Sequence, residues 1–267
     1  MHRRTFLTTT AAAVAIGSAS LGAAPSRLID GRFSQFGGGG DPDHSVWDAV
    51  LAKGLRKGAD GIARFNYARV DQNALRGYVQ ALASVDPRGL RRPAAFAYWS
   101  NLYNAVTVSV VAEAYPVRSI RRIGGSLLSP GPWRAKQVKV AGVDLSLDDI
   151  EHGILRPVWR DPLVHYAVNC AALGCPNLLG TAYRSQGLSA QLEANARAFV
   201  NHPRGVQVTS NGVVVSSIYH WFKSDFGGND AGVLDHLRRY AGQNLAGPLQ
   251  GARRIADHRY DWSLNGA

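Results

Sequence analysis

The chain has 267 residues, of which 46% are hydrophobic and 18% are charged, as in a globular protein with a sizeable core. The formal net charge is +11 at pH 7. The basic residues are scattered and no nucleic-acid-binding module is evident, which argues against a nucleic-acid partner. The basic balance suits peripheral contact with anionic envelope surfaces. Genomic compositional bias explains it equally well, since Arg far outnumbers Lys.

Residues 1–24 have the pattern of an export signal. Arg3 and Arg4 precede an uncharged, mildly apolar run over residues 11–22, and small residues near its end suit cleavage. This run is shorter than the roughly 20 residues that a membrane-spanning helix needs, and no other apolar run is long enough. We therefore predict a twin-arginine signal peptide, a periplasmic or secreted bacterial protein, and no transmembrane span after signal removal.

The rest of the chain predicts an α+β fold, because helical patterns come first and hairpins later. A flexible Gly-rich segment over residues 25–43 is expected to precede a single domain over residues 44–265. Helices are predicted at 45–57, 71–84, 94–114, 146–155, 189–201, 219–223 and 231–240, a strand at 163–168, and hairpins at 138–145 and 206–215.

The longest predicted element, residues 94–114, is hydrophobic nearly all round. Pro93 opens it and Tyr115-Pro116 closes it. A helix without a polar face is expected in the interior. We therefore predict a buried central helix, with surrounding helices packed on a small antiparallel sheet.

The richest chemistry lies in a dozen residues that hold His165, Cys170 and Cys175. In an oxidising compartment the two cysteines suit a disulfide, which would close a very short loop. A reactive thiol is the second alternative, because a Gly174-Cys175-Pro176 turn can expose sulfur near a histidine. A metal site is a weaker alternative, because the spacing matches no standard zinc pattern. Inert buried thiols also remain open.

Further candidates lie on the predicted helices. Asn101 and Asn104 are spaced by three, so they share one helix face. They either satisfy neighbouring loop backbone or act as orienting or oxyanion-stabilising groups in a cleft. Binding candidates are Glu151, His152, His220 and Trp221. Their plainer roles are a surface or Arg-paired acid for Glu151, a packed surface histidine for His220 and core packing for the aromatic residues.

Several of these segments resemble the DUF547 family, in order and at family-like spacing over roughly residues 90–265. The similar stretches are 97–105, 115–120, 146–156, 161–178, 221–226 and 260–265. The resemblance implies no accepted activity, because the function of this family is unknown. Relatives occur in bacterial envelopes and in plant cells.

The predicted topology is similar to the papain/transglutaminase-like arrangement, in which Cys and His meet between a helix and a sheet. Here Asn101 or Asn104 stands at the helix position of the thiol, and the cysteines come later. Either the nucleophile has moved to the loop of Cys170 and Cys175, or the fold has become a binding module.

Two function classes follow. In the enzyme hypothesis, Cys175 is the nucleophile, with Cys170 nearby, His165 the base and Asn101 or Asn104 the orienting group. The thiolate would attack an acyl or amide carbon of an envelope substrate. The alternative is a non-catalytic periplasmic binding or scaffold module with a Cys170–Cys175 disulfide. We predict no cofactor and no metal ion, and a partner that is an unknown envelope ligand or small peptide.

Overall fold

The computed structural model describes residues 25–124 and 132–267. The predicted signal peptide lies outside the described residues. The helices are α1 (Ser45–Gly54), α2 (Gln72–Ala83), α3 (Arg92–Ala114), α4 (Leu147–Ile150), α5 (Arg156–Trp159), α6 (Val164–Ala167), α7 (Leu188–Val200), α8 (Ser217–Trp221), α9 (Asp230–Tyr240) and α10 (Gln243–Gln250). The strands are β1 (Leu55–Lys57), β2 (Ala63–Phe65), β3 (Val138–Val140), β4 (Val143–Leu145), β5 (Val206–Thr209), β6 (Gly212–Ser216) and β7 (Ile255–Arg259).

The predicted α+β class is confirmed. The pairs β1–β2 and β3–β4 are antiparallel hairpins, and β5, β6 and β7 form a three-stranded sheet. In that sheet β5 is antiparallel to β6 at the predicted turn, where Gly212 has a φ of +121°. The third strand, β7, pairs with β6 in parallel, which the sequence pattern did not predict.

Helix α3 is the buried centre of the domain, as predicted. Nearly all its side chains are buried, and Leu102 and Trp99 have no exposed surface. Its apolar residues surround the axis, so neighbouring elements can cover every side. None of the helices within the described ranges combines the length and hydrophobicity needed to cross a bilayer.

The glycines of the N-terminal segment contact the backbone of the loop before α3. Gly37 and Gly39 donate backbone hydrogen bonds to Leu90 and Gly89, at 2.9 and 2.8 Å. A Cβ atom on Gly37 would lie 2.5 Å from the Gly89 oxygen, so the glycines permit close backbone approach. Nearby Phe33 is buried, and its ring contacts Trp99 of the central helix.

Two predicted elements take a different form. The first helix ends at Gly54 and not at residue 57, because residues 55–57 pair with β2. The predicted strand at 163–168 is instead the short helix α6. The Asp161 carboxylate accepts the Leu163 N–H at 2.8 Å, and Pro162 has no N–H to donate to a sheet. An apolar run this short fits a buried helical turn as well as a buried strand.

The capping box at Ser146 and Asp149 starts α4 as predicted. The helix then widens into a π-helical turn, Glu151–Leu155, before α5. Such turns often occur at functional sites. This one places Glu151 and His152 beside α6 and α8, where the cavity described below opens.

Candidate functional site

A cavity of about 920 Å³, counting the space at its mouth, opens beside α3, α6 and α8. The walls contain three kinds of side chain: the two cysteines, a group of carboxylates and imidazoles, and several aromatic rings. The lining includes Tyr103, Trp133, Arg134, Asp148, Glu151, His152, His165, Cys170, Cys175, Trp221, Phe222, Tyr260 and Trp262.

The cysteine loop is closed by the side chain of Asn169. Its amide donates to the Pro176 carbonyl at 2.7 Å, and its oxygen accepts the Ala171 N–H at 2.9 Å. Ala171 has a φ of +58°, so the loop turns sharply behind Cys170. Gly174 permits close contact with the segment after β7, since a Cβ there would lie 2.9 Å from the Asp261 nitrogen.

Cys170 and Cys175 face each other as a disulfide, with their Cα atoms 6.4 Å apart. This separation is within the usual range for such bonds. The Tyr260 hydroxyl lies 3.0 Å from each sulfur. The Cys170 N–H also donates to the Cys175 sulfur at 3.0 Å. Cys175 is 1% exposed, so the sulfur pair forms a covered part of the cavity wall.

His165 is held by a carboxylate. Its Nε2 lies 2.8 Å from Asp225, and because an ionised carboxylate can only accept, Nε2 carries the hydrogen. Arg156 donates to both oxygens of Asp225, at 2.6 and 3.1 Å. Although burial opposes it, hydrogen bonds from His165 and Arg156 hold the pKa of Asp225 below its usual range. Burial lowers the pKa of His165, so the neutral ring is favoured.

The other ring nitrogen of His165 faces Glu151, at 3.8 Å from the carboxylate. Burial raises the pKa of Glu151, while the interactions of this carboxylate with His165 and Arg156 act in the opposite direction. Glu151 is 9% exposed, so it is not the surface acid that its helix position suggested.

A second histidine and a second acid complete the polar group. Nδ1 of His152 accepts a hydrogen bond from Arg156 at 3.3 Å, and Nε2 lies 3.9 Å from Asp148. Burial lowers the pKa of His152 to about 4. Burial and the nearby charge of Glu151 raise the pKa of Asp148. His152 and Arg134 act in the opposite direction.

The remaining walls are aromatic. Trp221 is stacked on Trp262 at 5.6 Å between ring centres, and Tyr260 lies within 4.9 Å of both rings. Trp133 meets Trp262 edge to face at 5.8 Å. Phe222 stacks on His165 at 4.4 Å and connects the rings to the polar group. The walls of the cavity therefore combine acidic groups with aromatic surface.

The structure brings six of the nine predicted site residues to this cavity: His165, Cys170, Cys175, Glu151, His152 and Trp221. Asn101 and Asn104 are not among its lining residues. Asn101 bonds both backbone groups of Tyr183, and Asn104 bonds the Ala167 oxygen and the Asn169 nitrogen. His220 is exposed and stacks on His258 at 3.9 Å. The buried amides thus satisfy loop backbone, as the plainer interpretation predicts.

The sequence interpretation missed several residues at the site: Tyr103, Asp148, Arg156, Asn169, Asp225, Tyr260 and Trp262. The sequence offered one signal, because each of these residues lies in one of the six stretches singled out in the sequence analysis. What was lacking was the pairing: Asp225 is 60 residues from His165, and Tyr260 is 90 residues from Cys170.

Residues 87–200 match the family model of DUF547, a protein of unknown function. The predicted resemblance is confirmed over that range. The matched stretch holds α3, the π-helical turn, α6 and the cysteine loop. The stretches around Trp221 and Tyr260 lie beyond it. No curated protein and no solved structure matches the chain significantly. The match covers part of the cavity lining and assigns it no chemistry.

Within residues 25–124 and 132–267, no group of three or more His, Cys, Asp or Glu side chains is placed to hold a metal ion. The polar atoms of the cavity instead face one another in pairs, such as His165 with Asp225.

Proposed function

We propose that this protein is a ligand-binding module of the bacterial envelope. Its cleft takes a small peptide or another envelope ligand, and the Cys170–Cys175 disulfide closes one wall. The cavity supports this proposal because it joins acidic and aromatic surface in one opening.

The observation that carries the proposal is the direction of the His165 ring. One nitrogen bonds Asp225 at 2.8 Å and the other faces Glu151 at 3.8 Å. A thiol–imidazole pair needs one of these nitrogens within hydrogen-bond reach of a sulfur. The sulfurs contact each other and Tyr260 instead. This arrangement favours binding over thiol catalysis.

The export signal supports the envelope location. Arg3 and Arg4 precede the uncharged apolar run, and a twin-arginine signal directs proteins out of the bacterial cytoplasm. Disulfides persist outside the cytoplasm, so a Cys170–Cys175 bond agrees with the same compartment.

The second candidate is a thiol-dependent hydrolase or acyl-transfer enzyme that works in the reduced form. It is favoured by the Cys170 N–H, which lies 3.0 Å from the Cys175 sulfur and would stabilise a thiolate there. The Cys175 thiolate would attack an acyl carbon, form a thioester and release the amine or alcohol, and water would then release the acid. His165 would have to turn from Asp225 to act as the base.

A thiol count separates the two functions. We expect no free thiol in the folded, unreduced protein taken from the periplasm, and two thiols after reduction and unfolding. Rapid alkylation of Cys175 near neutral pH, slowed by an order of magnitude or more in His165→Ala, would contradict the binding module and support the enzyme. Cys170→Ser is the matched control, because it leaves the proposed nucleophile in place.

A further inference from the structure

We propose that the cavity recognises an organic cation, an alkylammonium group, which binds the carboxylates of Glu151 and Asp148 and packs against Trp221, Tyr260 and Trp262. This inference rests on the proposed binding function and names the class of ligand. Two independent features of the cavity support it: the balance of charge around the cavity and the form of its aromatic wall.

The described groups around the cavity carry more negative charge than buried positive charge. Arg156, which is 4% exposed, bonds both oxygens of Asp225, and it also acts with His165 to lower the pKa of Glu151. A single guanidinium therefore serves two carboxylates. The third, Asp148, lies 3.6 Å from Arg134, but the Arg134 side chain is 76% exposed. An ion pair with so exposed a partner is screened by water and salt and neutralises little.

The imidazoles do not supply the missing positive charge. Burial favours the neutral form of both His152 and His165. Arg156 donates to Nδ1 of His152, which requires an unprotonated nitrogen there. Burial raises the pKa values of Glu151 and Asp148, as expected for carboxylates with little neutralising charge nearby. A ligand cation in the cavity would stabilise the ionised form of both carboxylates.

The aromatic wall decides which kind of cation fits. The ring centres of Trp221, Tyr260 and Trp262 lie within 5.6 Å of one another. Electron-rich ring faces attract organic cations, and this attraction is strongest away from water. The same ring system already holds one cation, because the Arg121 guanidinium lies 5.2 Å from the centre of Trp262. Aromatic faces beside carboxylates are the usual surroundings of a bound alkylammonium group.

Choline and its neutral isostere, 3,3-dimethylbutan-1-ol, provide the test, because they have the same shape and differ in charge. Binding to the full mature chain would be followed by tryptophan fluorescence and by calorimetry at pH 7.5. We expect choline to bind about tenfold or more tightly than the isostere. Glu151→Gln should remove most of this preference and leave binding of the isostere unchanged. Asp144→Asn is the control, because Asp144 is exposed and pairs with Lys139 outside the cavity lining.

Equal binding of the two probes would overturn the cation inference, because the cleft would then recognise shape alone, and the binding module would stand. Binding of neither probe would also overturn it, and the thiol count would decide the proposed function separately. If Glu151→Gln does not fold, Asp148→Asn and Trp262→Leu provide the same comparison at partly exposed positions. An unchanged preference in both would place the cation outside this cavity.

Discussion

Two sets of buried polar side chains lie within one domain, and their surroundings differ. Asn101 and Asn104 on α3 bond the backbone of neighbouring loops with both ends of each amide. Glu151 and His165 are equally buried, but they face each other at 3.8 Å, beyond hydrogen-bond distance, and border a cavity. The amides hold the fold together. The carboxylate and imidazole instead belong to the polar group that lines the cavity.

The largest expected effect tests whether the amides of α3 stabilise the fold. Asn104→Ala leaves the Asn169 N–H and the Ala167 carbonyl without their buried partner, so we expect a loss of about 3 kcal/mol in the free energy of unfolding. Chemical denaturation measures this loss. Leu102→Ala on the same helix should cost a similar 2–5 kcal/mol, as a roughly typical loss for a buried leucine.

Asn73→Ala is the matched control, because Asn73 is an exposed asparagine on α2. We expect a change within about 0.5 kcal/mol there. If Asn104→Ala is as mild as this control, water enters the site of the amide and the structural assignment is wrong.

The disulfide lies in the loop that the Asn169 side chain closes, and it forms part of the cavity wall. It joins residues five apart, and a loop this short contributes about 2 kcal/mol by the chain-entropy model. The Cys170→Ser/Cys175→Ser double variant should lose about that much in chemical denaturation. Addition of reductant should lower the stability of the wild-type protein and leave the double variant unchanged. Equal sensitivity of both proteins to reductant would contradict the assignment.

The pH dependence of stability tests the buried polar group at the cavity. The pKa of His152 is about 4 in the folded protein against an ordinary 6.5. As the pH falls from 6.5 towards 4, the unfolded chain therefore binds a proton that the folded chain does not, and stability falls. The raised pKa of Asp148 acts in the opposite direction. We expect the wild type to lose about 1 to 2 kcal/mol more than His152→Gln over this range. Parallel pH profiles would contradict a buried, neutral His152.

The smallest expected effect is the most informative about function. The folded pKa of Glu151 is raised, so its ionisation disfavours the folded state and stability falls as the pH rises through that pKa. At pH 7.5, Glu151→Gln should therefore leave the free energy of unfolding unchanged or raise it by up to about 1 kcal/mol. A loss comparable to that of Asn104→Ala would show that Glu151 stabilises the fold, as the amides of α3 do.

Much of the fold could be predicted from the sequence because its signals are local. The apolar surface of α3, the capping box at Ser146 and the turn at Gly212 depend on residues within a few positions of one another. The short helix at His165 was wrongly predicted as a strand, since an apolar run of six residues has no decisive period. Strand β7 was missed because its residues are mostly exposed and it depends on its partner β6.

The candidate site was only half predictable for the same reason. The cysteines and His165 are close in sequence and were found together. The groups that decide their chemistry come from other segments: Asp225 fixes the His165 ring, and Tyr260 covers both sulfurs. No local pattern reports such contacts. The roles of Asn101 and Asn104 also depended on tertiary structure, because an amide on a buried helix can bond either backbone or ligand.

One wall of the cavity is formed by residues that are synthesised late. Tyr260 and Trp262 form a wall of the cavity, yet they leave the ribosome long after Tyr103 and Glu151. Asn265 then bonds Tyr67 at 2.6 Å, which ties this late segment to one of the earliest. A nascent chain therefore has no enclosed cavity until these last contacts form. Translocation of an already folded protein, the route proposed from Arg3 and Arg4, would let both halves of the site meet before export.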